Sequence, residues 1–164
     1  MFSNEFHLPT RWRVQGTPDE VAAVLRDPER FPDWWSEVYL DVRVLDQGDA
    51  EGVGARIAIY SKGWLPYRLN WEARVLRADF PRSWEIGATG DLTGRGVWTL
   101  TRDGDHTIAD YDWRVTADRP LFRALAPLLA PLMASNHRWA MRKGEAGLSR
   151  ELTRRRASDG RARA

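Results

Sequence analysis

The sequence predicts an α+β fold in which a seven-stranded, curved antiparallel sheet wraps around one long C-terminal helix, with two short helices after the first strand. Three observations predict this arrangement. Seven segments before residue 117 alternate apolar and polar residues, a capping-box motif follows the first of them, and helical spacing of apolar residues begins after Pro120. Because such alternation gives a sheet one apolar face, the long helical segment must pack against the sheet to cover it.

Length and composition limit the classes of protein that this chain can be. Its 164 residues suggest one domain, and 43% hydrophobic with 29% charged residues is typical of a soluble, globular protein. Cysteine is absent and the three histidines lie far apart, so we expect no disulfide, no metal and no cofactor. No apolar run reaches 18 residues and the first residues lack a signal-peptide pattern. We therefore expect no membrane span and a cytoplasmic location.

Positive charge is concentrated at the C-terminus. Of the 25 basic residues, 23 are arginine, and six of these follow residue 149 together with only two acids. Without that stretch the formal charge falls from +2 to about −2. A nucleic-acid-binding protein would carry a basic stripe across its folded elements, so we expect no nucleic-acid partner. The sequence predicts a single domain over residues 1–153 and a disordered, Arg-rich tail over 154–164.

The N-terminal elements have clear local signals. Residues 1–15 alternate weakly and include Pro9, which predicts a strand that bends or lies at a sheet edge because proline has no N–H to donate. The segment Thr17-Pro18-Asp19-Glu20 forms a capping box with proline at the first helical position, and Asp27-Pro28 ends this helix. A second short helix is predicted for residues 28–35, whose aromatic residues indicate a packed corner.

Six further strands follow, joined by short turns such as Asp103-Gly104. In the second strand, Val38, Leu40, Val42 and Val44 take the apolar register and Tyr39 the polar one. In the later strands the side chains expected to face the helix are Leu69, Trp71, Trp84, Ile86, Trp98, Leu100, Tyr111, Trp113 and Val115. Glu72 and Arg74 share the polar register and predict an exposed cross-strand charge network, although a one-residue slip would turn them inward.

Two prolines interrupt the C-terminal helical segment. Pro127 and Pro131 each lack an N–H and crowd the carbonyl four residues earlier. We therefore expect a short or irregular piece over about 120–130 and a long helix over about 131–154. Gly144 and Gly147 lie within that helix, where glycine costs about 1 kcal/mol relative to alanine. Their presence indicates a close approach between the helix backbone and the sheet.

The order of elements and several motifs resemble one superfamily. The motifs are Thr17-Pro18-Asp19-Glu20-Val21 followed by Phe31-Pro32-Asp33-Trp34-Trp35, the segment 90–98, and Asn136-His137-Arg138-Trp139. They are similar to segments of the SRPBCC or START-like superfamily, which has the helix-grip fold, and of its bacterial polyketide cyclase/dehydrase-like members. The resemblance covers roughly residues 2–153. It implies a hydrophobic ligand between sheet and helix; a minority of members cyclise or dehydrate bound polyketides.

The aromatic face of the sheet is the candidate ligand site. A curved sheet around one helix leaves an elongated cavity, and such sites are mostly apolar with a few polar groups. Tryptophan can also fill a core as bulk, and the residues alone leave both interpretations open. The predicted ligand-binding residues lie on the two facing surfaces: Trp71, Trp84, Trp98, Leu100, Tyr111, Trp113, Met133, Asn136 and Trp139.

Catalytic residues are less well defined than binding residues. The sequence contains no nucleophile elbow, phosphate loop, dinucleotide fingerprint or zinc-protease motif. A cyclase would need one acid or base, for which His137, Tyr111 and Glu72 are candidates, and His137 is expected at an edge of the helix.

Three functions follow from these features, with the oligomeric state left open. The preferred one is binding of a hydrophobic small molecule such as a lipid, a polyketide or an aromatic compound. The alternative is a polyketide cyclase or dehydratase acting on a ligand in the same cavity. The third is an interaction module whose outer sheet face or Arg-rich tail binds an acidic partner or an anionic membrane.

Overall fold

A computed structural model describes residues 5–117 and 120–164. Its seven strands form one antiparallel sheet in the order β1-β7-β6-β5-β4-β3-β2. They are β1 (Glu5–Gln15), β2 (Tyr39–Asp46), β3 (Arg56–Lys62), β4 (Arg68–Asp79), β5 (Ser83–Gly90), β6 (Leu92–Asp103) and β7 (His106–Ala117). Between β1 and β2 lie α1 (Pro18–Leu25), a 3₁₀ turn (Pro28–Arg30) and α2 (Phe31–Trp34), and α3 (Pro120–Ala162) follows β7. The predicted helix-grip fold is confirmed.

The local signals near the N-terminus have the expected geometry. β1 is an edge strand, and Pro9 lies opposite Asp112 within it. The Thr17 hydroxyl accepts a hydrogen bond from the Glu20 N–H at 3.2 Å, and the Glu20 carboxylate accepts one from the Thr17 N–H at 3.1 Å. Both halves of the capping box are therefore formed, and they fix where α1 begins.

Charged side chains cover the sheet face that points away from α3. Arg56 and Glu72 pair across β3 and β4 at 2.7 Å, as the polar register predicted. Glu85 is buried beneath two arginines, with Arg95 at 2.6 Å and Arg77 at 3.1 Å. Since Glu72 belongs to this outer network, it lies outside the space between the sheet and α3.

The prediction of a break near residue 130 is wrong, because α3 is one helix from Pro120 to Ala162 with both prolines inside it. Pro127 and Pro131 are four residues apart and both are exposed. The carbonyls that lose their helical N–H partners therefore face solvent, where water can bond them. The other side of this segment remains packed, with Ala126 buried.

The C-terminal residues differ from the predicted disordered tail. Residues 154–162 continue α3. Glu151 accepts hydrogen bonds from Arg154 at 2.7 Å and Arg155 at 3.0 Å, and these arginines hold the pKa of its carboxyl at about 2. Arg156 pairs with Glu20 of α1 at 2.7 Å. These contacts attach the last turns to the folded body and make helix favourable there.

The close approach indicated by Gly144 and Gly147 occurs at the aromatic corner. A Cβ atom at Gly147 would fall on the carbonyl oxygen of Trp34, and one at Gly144 would meet the rings of Trp35 and Trp12. The indole N–H of Trp35 donates to the Ala140 carbonyl at 2.9 Å. The two glycines therefore let α3 contact α2 and β1 directly.

Residues 5–117 and 120–164 contain neither a helix suited to span a membrane nor a cluster of metal-ligating side chains. No helix there is long and apolar enough to cross a membrane. No group of three or more His, Asp or Glu side chains in these ranges is placed to hold a metal ion.

Candidate ligand-binding cavity

A cavity of about 460 Å³ lies between the inner face of the sheet, α3 and the corner formed by α1 and α2. Strand β3 lines it with Ile57, Ile59 and Ser61. The volume falls in the range of sites that enclose a drug-sized molecule. The tryptophans of the sheet therefore line a space rather than fill it.

Four nearly parallel aromatic rings form one wall of this cavity. The ring centroids of Trp84 and Trp98 are 6.1 Å apart, those of Trp98 and Tyr111 are 4.4 Å apart, and those of Tyr111 and Trp113 are 5.5 Å apart. The planes of successive rings differ by 26° or less. We call Trp84, Trp98, Tyr111 and Trp113 the aromatic ladder.

Strand register produces the aromatic ladder. Trp84 lies opposite Trp98, and Trp98 lies opposite Tyr111, on three neighbouring strands. Trp113 follows Tyr111 by two residues and therefore points to the same face. Gly96 of β6 leaves room for the Tyr111 ring, whose hydroxyl would contact any Cβ atom at that position.

The opposite wall comes from α3 and the loop between β3 and β4. Met133, Asn136 and His137 line the cavity from the helix. Asn136 accepts a hydrogen bond from the Leu65 N–H at 3.1 Å, and the Tyr67 hydroxyl donates to the Met133 sulfur at 3.3 Å. These contacts tie the loop to the helix beside the cavity.

His137 lies at the cavity wall rather than at an exposed helix edge, where the sequence placed it. Its Nε2 is 3.2 Å from the Thr10 hydroxyl, and the ring also forms a hydrogen bond with the Leu8 backbone. Burial lowers its pKa to about 4, and the Arg138 charge acts in the same direction. The imidazole is therefore neutral at pH 7.

The free energy of unfolding should fall between pH 7 and pH 5 because of His137. In the unfolded chain the imidazole has a pKa near 6.5 and takes up a proton in this range, whereas the folded pKa of about 4 keeps it neutral. Acidification therefore favours the unfolded state, by about 2 kcal/mol at pH 5 for this one group. Above about pH 7.5 the imidazole is neutral in both states, so the group contributes almost no pH dependence there.

Urea unfolding at pH 7 and pH 5 measures this effect, and His137→Gln is the matched variant. The carboxyl of Glu151, with a folded pKa of about 2, titrates below this pH window. The variant should lose much less stability on acidification than the natural chain. An equal loss in both proteins would contradict the assignment to His137.

Two buried tyrosines provide hydroxyl groups at the cavity. Burial raises the pKa of both Tyr39 and Tyr111 above 10, so both hydroxyls stay protonated and can donate hydrogen bonds. The sequence placed Tyr39 in the polar register of β2, which is wrong. The pairing of β2 with β3 shifts between Tyr39 and Asp41, and this irregularity turns the tyrosine ring inward against Phe31 and Trp35.

Seven of the nine predicted binding residues lie at the cavity wall; they are Trp71, Trp84, Trp98, Tyr111, Trp113, Met133 and Asn136. Leu100 is buried in the core outside the cavity. Trp139 is partly buried under the Lys143 ammonium, 5.7 Å from its ring centroid, and it also lies outside the cavity. The role of the seven as ligand contacts stays a prediction.

The three catalytic candidates are separated by the structure. His137 and Tyr111 both line the cavity, whereas Glu72 lies on the outer face and pairs with Arg56. The Arg56 guanidinium lowers the pKa of the Glu72 carboxyl, which is therefore ionised and engaged outside the cavity. Glu72 is excluded as an acid or base for a ligand inside it.

The sequence matches the family model described as "Polyketide cyclase / dehydrase and lipid transport" over residues 7–153. The chain belongs to this family. No curated protein sequence matches it significantly. The match confirms the superfamily to which the sequence motifs pointed.

Several solved structures of low sequence identity have a similar fold across nearly the whole chain. A START superfamily protein from Mycobacterium smegmatis has a TM-score of 0.73 at 12% identity, over 90% of this chain and 97% of that one. The Zhui aromatase/cyclase from Streptomyces sp. R1128 has a TM-score of 0.70 at 14% identity, over 92% and 95%. Norcoclaurine synthase from Thalictrum flavum has a TM-score of 0.60 at 13% identity, over 93% and 96%. At these identities the similarity concerns the fold alone.

Proposed function

We propose that this protein binds one hydrophobic small molecule in the cavity between the sheet and α3, and that the molecule contains a flat ring system. The aromatic ladder is the observation that carries the proposal. Four rings with nearly parallel planes present a continuous apolar wall, against which a flat ligand can lie in contact along its length. A polyketide with conjugated rings is flat in this way, and so is a lipid that contains such rings.

Polar groups at the wall would orient such a ligand. The protonated hydroxyls of Tyr39 and Tyr111 can donate to a ligand carbonyl or phenol oxygen. Few polar groups in a mostly apolar site fix orientation, while contact with the apolar surface supplies most of the affinity. Ring compounds that carry oxygen should therefore bind more tightly than plain hydrocarbons.

A fluorescence titration with N-phenyl-1-naphthylamine tests this proposal. The probe should bind with one-to-one stoichiometry and become brighter on entering the apolar cavity. Hydroxylated fused-ring compounds should displace it at lower concentration than straight-chain fatty acids with the same number of carbons. Non-saturable binding would refute the cavity as a ligand site, and better displacement by fatty acids would refute the preference for rings.

A cyclase or dehydratase function is the second candidate, and the position of His137 favours it. The imidazole lies at the cavity wall and is neutral at pH 7, as a general base must be before it removes a proton. In a dehydration it would take a proton from the carbon between a carbonyl and a hydroxyl-bearing carbon. The imidazolium would then return that proton to the hydroxyl, which leaves as water while a carbon–carbon double bond forms. Ligand eluted from the natural protein should then be lighter by one water molecule than ligand eluted from His137→Gln. Equal masses would leave binding as the function.

A further inference from the structure

Four large apolar side chains are exposed together near the start of α3. Leu128 is 79% exposed, Trp64 45%, Leu125 38% and Leu132 37%. Leucines at 125, 128 and 132 are spaced by three and four residues and therefore share one face of the helix. We call Trp64, Leu125, Leu128 and Leu132 the Leu128 surface.

Trp64 belongs to this surface because its loop is tied to α3. The neighbouring Leu65 donates its N–H to Asn136, and Tyr67 contacts Met133, one residue after Leu132. Asn136 and Met133 are also part of the cavity wall. The Leu128 surface thus lies on the outside of the wall whose inside lines the cavity.

The two segments that form the Leu128 surface contain basic residues and no acidic ones. Residues 61–70 and 124–144 include five basic residues and neither Asp nor Glu: Lys62, Arg68, Arg138, Arg142 and Lys143. Arg142 is exposed and follows Leu128 by 14 residues, close to four helical turns, so it projects from nearly the same face. Lys143 pairs with Glu37 at 3.2 Å. We call the other four cations the basic flank of the Leu128 surface.

We propose that the Leu128 surface docks onto an anionic lipid bilayer. Leucine and tryptophan on one helix face, flanked by arginine and lysine, are the features of a helix that lies in the plane of a membrane interface. Anionic headgroups attract the cations while the leucines enter the acyl boundary. A second copy of the chain is a poorer partner, because a two-fold contact would place this basic flank against itself with no acid in either segment.

A single environment-sensitive label tests the docking surface directly. The chain has no cysteine, so acrylodan on Leu128→Cys reports only from that position. Leu45→Cys, on the exposed side of β2, is the matched control, since Leu45 is 52% exposed and lies outside the Leu128 surface. Vesicles of pure phosphatidylcholine are compared with vesicles that contain phosphatidylglycerol as well, at low salt and at about 1 M salt, where the Debye length is about 3 Å.

The label at 128 should shift to the blue with anionic vesicles only, and high salt should reduce the shift. The label at 45 should not respond. No shift at 128, an equal shift with neutral vesicles, or an equal shift at both positions would overturn the proposal. A shift that depends on protein concentration without vesicles would identify a second copy as the partner and would also overturn it.

A sedimentation assay distinguishes membrane binding by the Leu128 surface from membrane binding by the Arg-rich end of α3. Leu128→Glu should reduce the fraction that sediments with anionic vesicles by at least about fivefold. Arg161→Gln combined with Arg163→Gln should leave that fraction nearly unchanged. The reverse pattern would assign membrane binding to the end of the helix and would refute the Leu128 surface. Binding of N-phenyl-1-naphthylamine by Leu128→Glu should be normal, so a failure here is distinct from failure of the cavity proposal.

Discussion

Gly147→Ala should lower the free energy of unfolding by about 1–3 kcal/mol. The added Cβ atom falls on the carbonyl oxygen of Trp34, which belongs to the backbone and cannot rotate away. The helix would have to move off the α2 corner, weakening the packing of Trp34 and Trp35 against it. For a chain of this length, such a loss is a fall in Tm of roughly 2–12 °C, which thermal unfolding followed by circular dichroism measures.

Gly160→Ala is the matched control for this substitution. It lies in the same helix, and a Cβ atom there meets no heavy atom within 4 Å. Because alanine is the better helix former by about 1 kcal/mol, this variant should be unchanged or slightly more stable. If Gly147→Ala were as stable as Gly160→Ala, the close contact between α3 and α2 would be refuted.

Met133→Trp should weaken binding of N-phenyl-1-naphthylamine at least tenfold. Met133 lines the cavity from α3, so a larger indole at this position takes up space that the probe would occupy. A tenfold change corresponds to about 1.4 kcal/mol of binding free energy. Fluorescence titration of the purified variant gives the dissociation constant.

Leu45→Trp controls for the addition of one more tryptophan to the chain. Leu45 is exposed on β2, so an indole at this position adds bulk outside the cavity. This variant should bind the probe as the natural protein does. Probe affinity that is unchanged in Met133→Trp as well would show that the probe binds somewhere other than this cavity.

The fold and the aromatic ladder could be predicted because the sequence patterns that indicate them are local and repeat along the chain. The capping box of Thr17 and Glu20 depends on two side chains three residues apart, and it formed as predicted. Alternation in β5, β6 and β7 places Trp84, Trp98 and Tyr111 in the apolar register of their strands, and pairing of apolar with apolar positions puts them on one face. Antiparallel pairing of neighbouring strands then brings the three rings together.

The errors arose where distant contacts decide the outcome. Tyr39 turns inward because the pairing between β2 and β3 shifts at that residue. The alternation of apolar and polar residues does not indicate such a shift. His137 faces Thr10 on β1, a contact 127 residues away in sequence that places it at the cavity wall. A helix wheel gives the angle between residues of α3, but it does not say which angle faces the sheet.

The two prolines of α3 show that local helix rules alone do not determine where a helix ends. Local rules assign each a cost of about 3 kcal/mol inside a helix, and on that basis a break was expected. The helix continues because Pro127 and Pro131 are exposed, while Ala126 and Met141 on the same helix are buried against the core. Tertiary packing thus outweighs the cost of placing two prolines inside the helix. The sequence alone predicts the size of that cost but not the packing that offsets it.

Native mass spectrometry of protein purified from its own host tests most directly whether the cavity holds one hydrophobic molecule. The spectrum under non-denaturing conditions should show the chain with one non-covalent ligand, which is lost on denaturation and can then be identified. The same preparation of Met133→Trp should carry much less of it. A natural protein that shows only its bare mass and also fails to bind N-phenyl-1-naphthylamine would contradict the claim.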